Sequence, residues 1–345
     1  MQFSFATPSD DPAIRGFLAS HTMGRGVRIA TQTEPSFFAA IAELGDHADV
    51  LMARDRHSGR LAGLGVRLER RVMLEGRERR AAHLSFLRVA PEFRGRRDFL
   101  RAGYGMLRDL QDTRPVEFCL TAILAENAGA RRLLEAGLPG LPVYRRVAEI
   151  ATCTLATPRR VRRLPLAEES QATAFVQKSM QCTPLGLTGD FAVDSPWITV
   201  QQAGKIAAAA RLWDQRASRQ VAICGYSPAL RVARPFYNLW SALRGRGGLP
   251  PAGGVGGMNV AYVSQLVADP LNPAGFAVLL DYLCTAARQR GIDYLALSLA
   301  ADHPLCCIAA RRAMHRTRSV LYSVTWSGEA VPVIAGVPYV EAGLL

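Results

Sequence analysis

Lysine is nearly absent from this sequence of 345 residues. Only Lys178 and Lys205 occur, so the formal net charge of +13 at pH 7 comes almost entirely from arginine. The charge is dispersed: residues 1–157 carry 23 arginines against 18 acidic residues, and the remainder carries 19 basic against 11 acidic residues. There is no basic tail and no basic run with interleaved aromatic residues. The net charge would suit a nucleic acid, a membrane surface or a phosphorylated ligand, but its dispersal and its origin in arginine argue against the first two, so direct nucleic-acid binding is not expected.

Long apolar runs and an export signal are also missing. No stretch of 18 uninterrupted apolar residues occurs, so a membrane-spanning helix is not predicted. The N-terminus, MQFSFATPSDDPAIRG, has no basic segment followed by an apolar stretch and a small-residue cleavage site. The composition, 49% hydrophobic and 21% charged, is that of a globular chain rather than a disordered one. We therefore expect a soluble protein of the cytoplasm.

The cysteines follow no pattern of a disulfide framework or a metal site. All seven stand at irregular spacings, with no Cys-x-x-Cys pair and no histidine at ligand spacing. Cys306 and Cys307 are adjacent, and vicinal cysteines seldom bridge without strain. We expect reduced, mostly buried thiols and no bound metal.

The first half contains a regular alternation of strand and helix patterns after a helical start. A turn at Ser58-Gly59 joins two β-prone runs into a hairpin. Apolar residues between 99 and 110 recur with the period of a helix that buries one face. Gly137 stands where a second helix is expected to end. The predicted strands are Asp49–Arg54, Arg60–Arg71, Arg79–Val89, Val116–Leu124 and Val143–Leu155, and the predicted helices are Asp98–Asp112 and Asn127–Glu135.

The second half repeats this order in weaker form. The segment Thr157–Leu166, with four arginines and two prolines, marks a boundary between predicted domains 1–157 and 158–345. We interpret the chain as a diverged tandem duplication of the α/β (α+β) class, each domain having a mixed, mostly antiparallel sheet flanked by helices. The predicted elements are helices Glu168–Met180, Ala229–Leu243, Pro273–Arg290 and His303–Met314, and strands Trp197–Gln202, Lys205–Trp213, Asn259–Val267, Tyr294–Leu299 and Ser319–Trp326.

One segment, Leu87–Leu110, joins a strand end to a group of arginines around Gly95 and then to an amphipathic helix. A helix start presents unpaired N–H groups and a partial positive charge, so a diphosphate binds there if the backbone can come close. With the order of elements, the run V-A-P-E-F-R-G-R at 89–96 resembles the GNAT (GCN5-related N-acetyltransferase) superfamily over about residues 40–155, and the whole resembles tandem-GNAT proteins. In that family a loop of pattern Q/R-x-x-G-x-G/A binds the pyrophosphate of acetyl-CoA.

The loop departs from the family pattern at two positions. Arg97 and Phe99 occupy the places of its two glycines; an arginine adds charge for phosphate, while both side chains add bulk to the turn. The resemblance nevertheless implies cofactor contacts from this region and from the start of the next helix. The candidate residues are Leu87, Arg88, Val89, Arg94, Gly95, Arg96, Arg97, Asp98, Phe99, Asn127 and Arg131.

Candidate catalytic residues come from the strand before the loop and from a later strand. An amine attacks a thioester only when unprotonated, and His83 lies where some family members carry a catalytic Glu, with Ser85 on the same face of the strand. Glu69, Glu75 and Glu78 are alternative bases. The tyrosine that usually follows the motif N-x-x-A-x-x-L is replaced by Leu134, which leaves Tyr144 as the candidate acid.

The resemblance implies an N-acyltransferase that uses an acyl-CoA, with acetyl-CoA as the expected cosubstrate and no metal. The oxyanion would be stabilised by backbone N–H groups near Leu87–Val89. The acceptor would be an amine of a small molecule or peptide. The second half, whose corresponding segment Leu266–Leu283 has no arginine, is expected to shape the acceptor pocket or to be structural. Two alternatives stay open: a non-catalytic acyl-CoA-binding or scaffold protein, and a FemAB-like aminoacyl transferase.

Overall fold

The computed structural model describes residues 1–24, 26–158, 168–188, 193, 195–243, 247–253, 258–326 and 328–345. The strands are β1 (Gln2–Phe5), β2 (Val27–Gln32), β3 (His47–Arg54), β4 (Leu61–Leu74), β5 (Arg77–Val89), β6 (Phe118–Leu124), β7 (Val143–Ala156), β8 (Ile198–Gln202), β9 (Lys205–Trp213), β10 (Gln220–Tyr226), β11 (Val260–Ala268), β12 (Tyr294–Ala300) and β13 (His315–Thr325). The α-helices are α1 (Asp11–Ser20), α2 (Phe37–Ala42), α3 (Arg97–Thr113), α4 (Ala128–Glu135), α5 (Glu169–Cys182), α6 (Pro228–Leu243), α7 (Pro273–Gln289) and α8 (Cys306–Arg312).

Eleven of these strands form one continuous sheet, in the order β1-β3-β4-β5-β6-β13-β7-β12-β11-β9-β8. The two halves exchange their last strands, because β13 lies between β6 and β7 while β7 pairs with β12. A second link is the pair β2–β10, which forms a separate two-stranded sheet from one strand of each half. The boundary at 157/158 stays a prediction, and most of its arginine-rich segment, residues 159–167, lies outside the described residues.

The predicted fold class is confirmed: a mixed, mostly antiparallel sheet is flanked by helices, and the predicted elements recur with bounds shifted by a few residues. The helix predicted for His303–Met314 is shorter than expected, because residues before Cys306 form turns in which His303 Nδ1 accepts a hydrogen bond from Leu305 N–H at 3.1 Å. Strands β1, β2 and β10 were not predicted. Strands β2 and β10 are about 190 residues apart in the chain, and such a pairing leaves no local pattern.

Different segments of the chain pack against the two faces of the sheet. On the first, called the helix face, α3 and α4 cover a buried cluster that includes Tyr104, Cys119, Leu134, Tyr144 and Tyr322. On the opposite face, called the tail face, Leu185 and the chain after residue 334 cover a second cluster. Strand alternation separates the two faces residue by residue, so Cys119 faces the helices and its neighbours in β6 face the tail.

Candidate functional site

Strands β5 and β6 are parallel and diverge after a short paired stretch. Pairing is confined to Ala81–His83 with Phe118–Leu120. One residue further, the Thr121 hydroxyl donates to the Leu84 carbonyl at 2.7 Å, and no further pair joins these two strands in the described part of the chain. Beyond this point Leu87 is 46% exposed, although it belongs to a strand in the middle of the sheet. The divergence therefore opens a gap bordered by the end of β5.

The border of the gap is a β-bulge. Two residues of β5, Phe86 and Leu87, lie opposite Gly65 alone, because the register with β4 shifts between Leu64 and Val66. Phe86 has a φ of 53°, in the left-handed region that side chains other than glycine rarely adopt. The oxygen of the preceding Ser85 hydroxyl is buried and has no hydrogen-bond partner among the described residues. Strained backbone and an unpaired buried hydroxyl stand side by side at the gap, and such features concentrate at functional sites.

The second half contains the same bulge. Strands β11 and β12 are parallel over Val260–Tyr262 and Tyr294–Ala296, and the third residue past this stretch, Gln265, has a φ of 51°. The register of β11 with β9 shifts at this point, as that of β5 with β4 does. The sequences also correspond, since Ser264-Gln265-Leu266 aligns with Ser85-Phe86-Leu87. The structure thus supports the internal repeat at the level of single residues.

In the second half, this bulge binds a carboxylate from the same chain. Oxygen Oε2 of Glu341 accepts hydrogen bonds from the Ser264 hydroxyl at 3.1 Å, the Gln265 N–H at 3.1 Å and the Tyr339 hydroxyl at 2.5 Å. The other oxygen, Oε1, is buried and has no hydrogen-bond partner in the described structure. Burial raises the pKa of Glu341, and the hydrogen bonds to it oppose that rise.

The tail face holds a cavity of about 70 Å³ beside the first-half gap. Its polar lining comes from Arg70, His83, Tyr339 and Glu341, and the rest is mainly aliphatic. Burial, with smaller effects from the charges of Arg70 and Arg219, lowers the pKa of His83 to about 3. The imidazole is therefore neutral at physiological pH, but it is a weak proton acceptor. Sequence reasoning did not identify Glu341, which lies 258 positions after His83 and lines the same cavity.

Three arginines surround the bulge of β5. Burial lowers the pKa of Arg70 to about 9, against the attraction of Glu341. Burial, together with the charge of Arg219, lowers the pKa of Arg88 to about 10. The guanidinium of Arg219 lies 5.7 Å from the centre of the Phe86 ring and donates to the Gly343 carbonyl at 2.7 Å. These three cations make the electrostatic potential around the bulge positive.

The loop between β5 and α3 has an accessible helix start. Gly95 has a φ of 77°, a backbone conformation that only glycine adopts without strain. Helix α3 begins at Arg97, and no side-chain hydrogen bond caps its start. Residues 94–98 are all exposed. Phe99, in contrast, is buried: its ring packs 5.3 Å from that of Phe3 and would lie 2.5 Å from a Cβ at Gly63. Phe99 is thus a core residue whose side chain turns away from the loop surface, and its predicted ligand contact concerns the backbone alone.

The remaining predicted residues have partners within the protein. The Asn127 side chain caps α4 by accepting from Ala130 N–H at 3.3 Å. Arg131 donates to the Tyr322 hydroxyl at 3.1 Å and to the Ala125 carbonyl at 3.1 Å. Their roles toward a ligand stay predictions.

Tyr144, the candidate acid, lies on the helix face, opposite to the face of His83. Its hydroxyl is buried and shares a 2.5 Å hydrogen bond with the Tyr104 hydroxyl. Burial raises the pKa of Tyr144 well above 10, so the hydroxyl keeps its proton at neutral pH. Its role as the acid stays a prediction.

The described residues contain neither a candidate metal site nor a candidate membrane-spanning helix. They contain no group of three or more His, Cys, Asp or Glu side chains arranged to hold a metal ion. None of the helices described is long and apolar enough to cross a membrane.

Comparison with known proteins relates the chain to others through structure alone. Neither a protein-family model nor a curated protein matches the sequence. An N-myristoyltransferase of Saccharomyces cerevisiae with bound myristoyl-CoA has 11% identity and a TM-score of 0.55, over 96% of this chain and 84% of its own. A GCN5-related N-acetyltransferase from Sphaerobacter thermophilus has 16% identity and a TM-score of 0.54, over 96% of this chain and 98% of its own. Such identities bear on the fold alone, and the chain has the GNAT fold.

Proposed function

We propose that this protein is an acyl-CoA-dependent N-acyltransferase, with acetyl-CoA as the first candidate donor and an amine as the acceptor. The observation that carries the proposal is the strand gap bordered by the bulge at Phe86, next to an uncapped helix start with exposed arginines. The two solved structures named above are N-acyltransferases by their titles, one of them with bound myristoyl-CoA, and this supports the proposal.

The Ser85 hydroxyl and the backbone N–H groups of the bulge would bind the carbonyl oxygen of the thioester. In the second half, the equivalent Ser264 hydroxyl and Gln265 N–H both donate to one carboxylate oxygen. A tetrahedral intermediate carries a comparable negative oxygen, and donors fixed in place stabilise it more than they stabilise the neutral carbonyl. In the transfer a C–N bond forms, the C–S bond breaks, and CoA leaves as a thiolate that takes up a proton.

Glu341 is a better candidate than His83 for accepting the proton of the amine. An acceptor works best when its pKa lies near the working pH, and the pKa of His83 is about 3. The pKa of Glu341 is raised by burial, and its oxygen Oε1 has no donor among the described residues. His83 would then act as a neutral hydrogen-bonding group in the acceptor cavity. A limb of the rate profile between pH 5 and 8 would belong to a group other than His83.

The exposed arginines at the start of α3 would bind the CoA phosphates, with Arg97 supplying charge where the family has glycine. Isothermal titration with acetyl-CoA, myristoyl-CoA and CoA tests this directly. We expect Arg96→Gln with Arg97→Gln to weaken binding of all three by about tenfold or more. The matched control is Arg77→Gln with Arg311→Gln, which removes the same charge; Arg77 lies at the other end of β5, and Arg311 is exposed in α8. No binding of any acyl-CoA would overturn the proposal.

Measuring turnover distinguishes an enzyme from a non-catalytic binding protein. With an amine panel, Ser85→Ala should lower kcat by about tenfold to a hundredfold with little change in KM, because one oxyanion donor is lost. Glu341→Gln should lower kcat more than His83→Gln does, since the amide keeps the shape but cannot accept a proton. Tight acyl-CoA binding without turnover, unchanged by all three substitutions, would instead indicate a non-catalytic acyl-CoA-binding protein.

A further inference from the structure

Helix α6 has its apolar face outward and its polar face inward. Apart from Leu230, the residues that face the protein are polar or aromatic: Arg234, Tyr237, Asn238 and Ser241 are half-buried or buried. The exposed residues of the helix are all apolar except Arg231. The large ones form one stripe at helical spacing, which we call the α6 stripe: Val232, Phe236, Leu239, Trp240 and Leu243. Phe236 is 74% exposed and Leu243 is 80% exposed. Contact between such a group of apolar side chains and water is unfavourable, so this exposure indicates a surface that another partner covers.

Polar contacts fix this orientation. The Asn238 side chain donates to the Leu249 carbonyl at 3.0 Å and accepts from the Leu249 N–H at 2.7 Å, and Arg234 Nε donates to the same carbonyl at 3.1 Å. Turning the helix to bury the α6 stripe would break these bonds and expose Tyr237 instead. The outward apolar face is therefore a stable feature of the fold.

The chain segment that contains the stripe is basic. Residues 215–268 contain six arginines and no acidic residue, although Arg216 pairs with Asp214 just before this segment and Arg219 donates to the Gly343 carbonyl. Arg231 is exposed on the flank of α6. Arg28, exposed on β2, packs across Gly225 just before the helix starts. Apolar residues with arginines at their edge are typical of helices that lie in a membrane interface.

We propose that α6 docks on the surface of a bilayer containing anionic lipids. The α6 stripe would enter the boundary between head groups and acyl chains, and Arg28 and Arg231 would contact lipid phosphates. A second copy of this chain fits less well as the partner. Pairing two such helices would bring two basic segments together, and neither segment contains an acidic residue to offset the repulsion. This inference does not depend on the proposed acyltransferase activity.

Vesicle sedimentation with the full chain tests it. We expect the protein to bind vesicles of phosphatidylcholine containing about a quarter phosphatidylglycerol, and to bind vesicles of phosphatidylcholine alone more weakly, with the difference lost at high salt. The double variant Phe236→Glu with Leu239→Glu should lower the partition coefficient by at least about tenfold. The matched control, Leu271→Glu with Val333→Glu, makes the same charge change at exposed apolar residues outside the helix and should bind like the wild type.

Several results would overturn the proposal. One is equal or absent binding of the wild-type chain to the two kinds of vesicle, a comparison that needs no variant. Another is loss of binding in the control to the same extent as in the α6 variant, once circular dichroism shows both to be folded. Sedimentation equilibrium supplies the third: a dimer that the α6 variant dissociates, together with no vesicle binding, would assign the stripe to self-association.

Discussion

Replacing Glu341 tests whether the second-half bulge is stabilised by this carboxylate. In the wild type, one oxygen accepts from the Ser264 hydroxyl, the Gln265 N–H and the Tyr339 hydroxyl. Glu341→Ala would leave one buried donor and two part-buried donors without their acceptor, and the loss for a buried donor costs about 1–3 kcal/mol. Because water entering the space left by the side chain would satisfy some of them, we expect the free energy of unfolding to fall by about 3–5 kcal/mol.

Glu341→Gln distinguishes the contribution of hydrogen bonding to stability from the contribution of the carboxylate charge. The amide oxygen keeps an acceptor for the same donors, so the free energy of unfolding at neutral pH should change by about 1 kcal/mol or less. The pH dependence should change more. Since the folded-state pKa of Glu341 is raised, the stability linked to its protonation is fully present below its unfolded pKa and is lost as pH rises through the folded value. The glutamine variant should lack this loss.

Urea unfolding at several pH values between about 4 and 8 measures both effects. Glu149→Ala is the control, because this carboxylate is exposed in its ion pair with Arg146 and its loss should cost less than about 1 kcal/mol. The reasoning would be refuted if Glu341→Ala were as stable as this control. It would also be refuted if Glu341→Gln kept the pH dependence of the wild type.

Three further predictions concern the first half and the thiols. Phe99→Ala should lower the free energy of unfolding by about 3–5 kcal/mol in urea titrations, because the ring is a core residue; a change below about 1 kcal/mol would place the ring in the loop surface. Arg67→Ala should cost about 2–4 kcal/mol in the same titration, because the buried guanidinium lies 3.2 and 2.7 Å from Asp49 and Glu69 and its removal leaves a cavity, while Arg114 still pairs with both carboxylates; a neutral result would contradict this. In a native thiol titration at pH 8, Cys119, whose pKa burial raises to about 12, should not react, and a count above three fast thiols would disprove the burial pattern. The three thiols expected to react are Cys182, Cys224 and Cys307.

Much of the secondary structure followed from the sequence because its signals are local. The period of α3, the asparagine that caps α4 and the glycine after it, and the turn at Ser58-Gly59 each act within a few residues. The family resemblance implies a bulged strand that diverges from the next one, but the residues themselves do not locate the bulge. Its positive φ at Phe86 arises from pairing with β4 and from divergence from β6, and nothing in the residue type announces it.

The candidate site was predicted only in part. The arginine-rich loop before α3 was located by its position between a strand and a helix, and the structure gives it an accessible helix start. His83 was predicted as the base from its position in the strand and from the ordinary pKa of histidine. Burial, with a smaller effect from the charge of Arg70, lowers that pKa to about 3. Glu341 was missed because the chain after the last strand has no pattern that indicates where it returns.

The sequence by itself determined the order of most strands and helices, the family-like loop and the dispersed arginine charge. These depend on residue type and on spacings of a few positions, which the chain carries wherever it folds. Only the tertiary structure decided that β7 and β13 are exchanged between the halves, that Glu341 occupies the second bulge, and that α6 turns its apolar face outward. Each of these joins residues tens to hundreds of positions apart, and the free energy that selects them comes from burial and hydrogen bonding between distant segments.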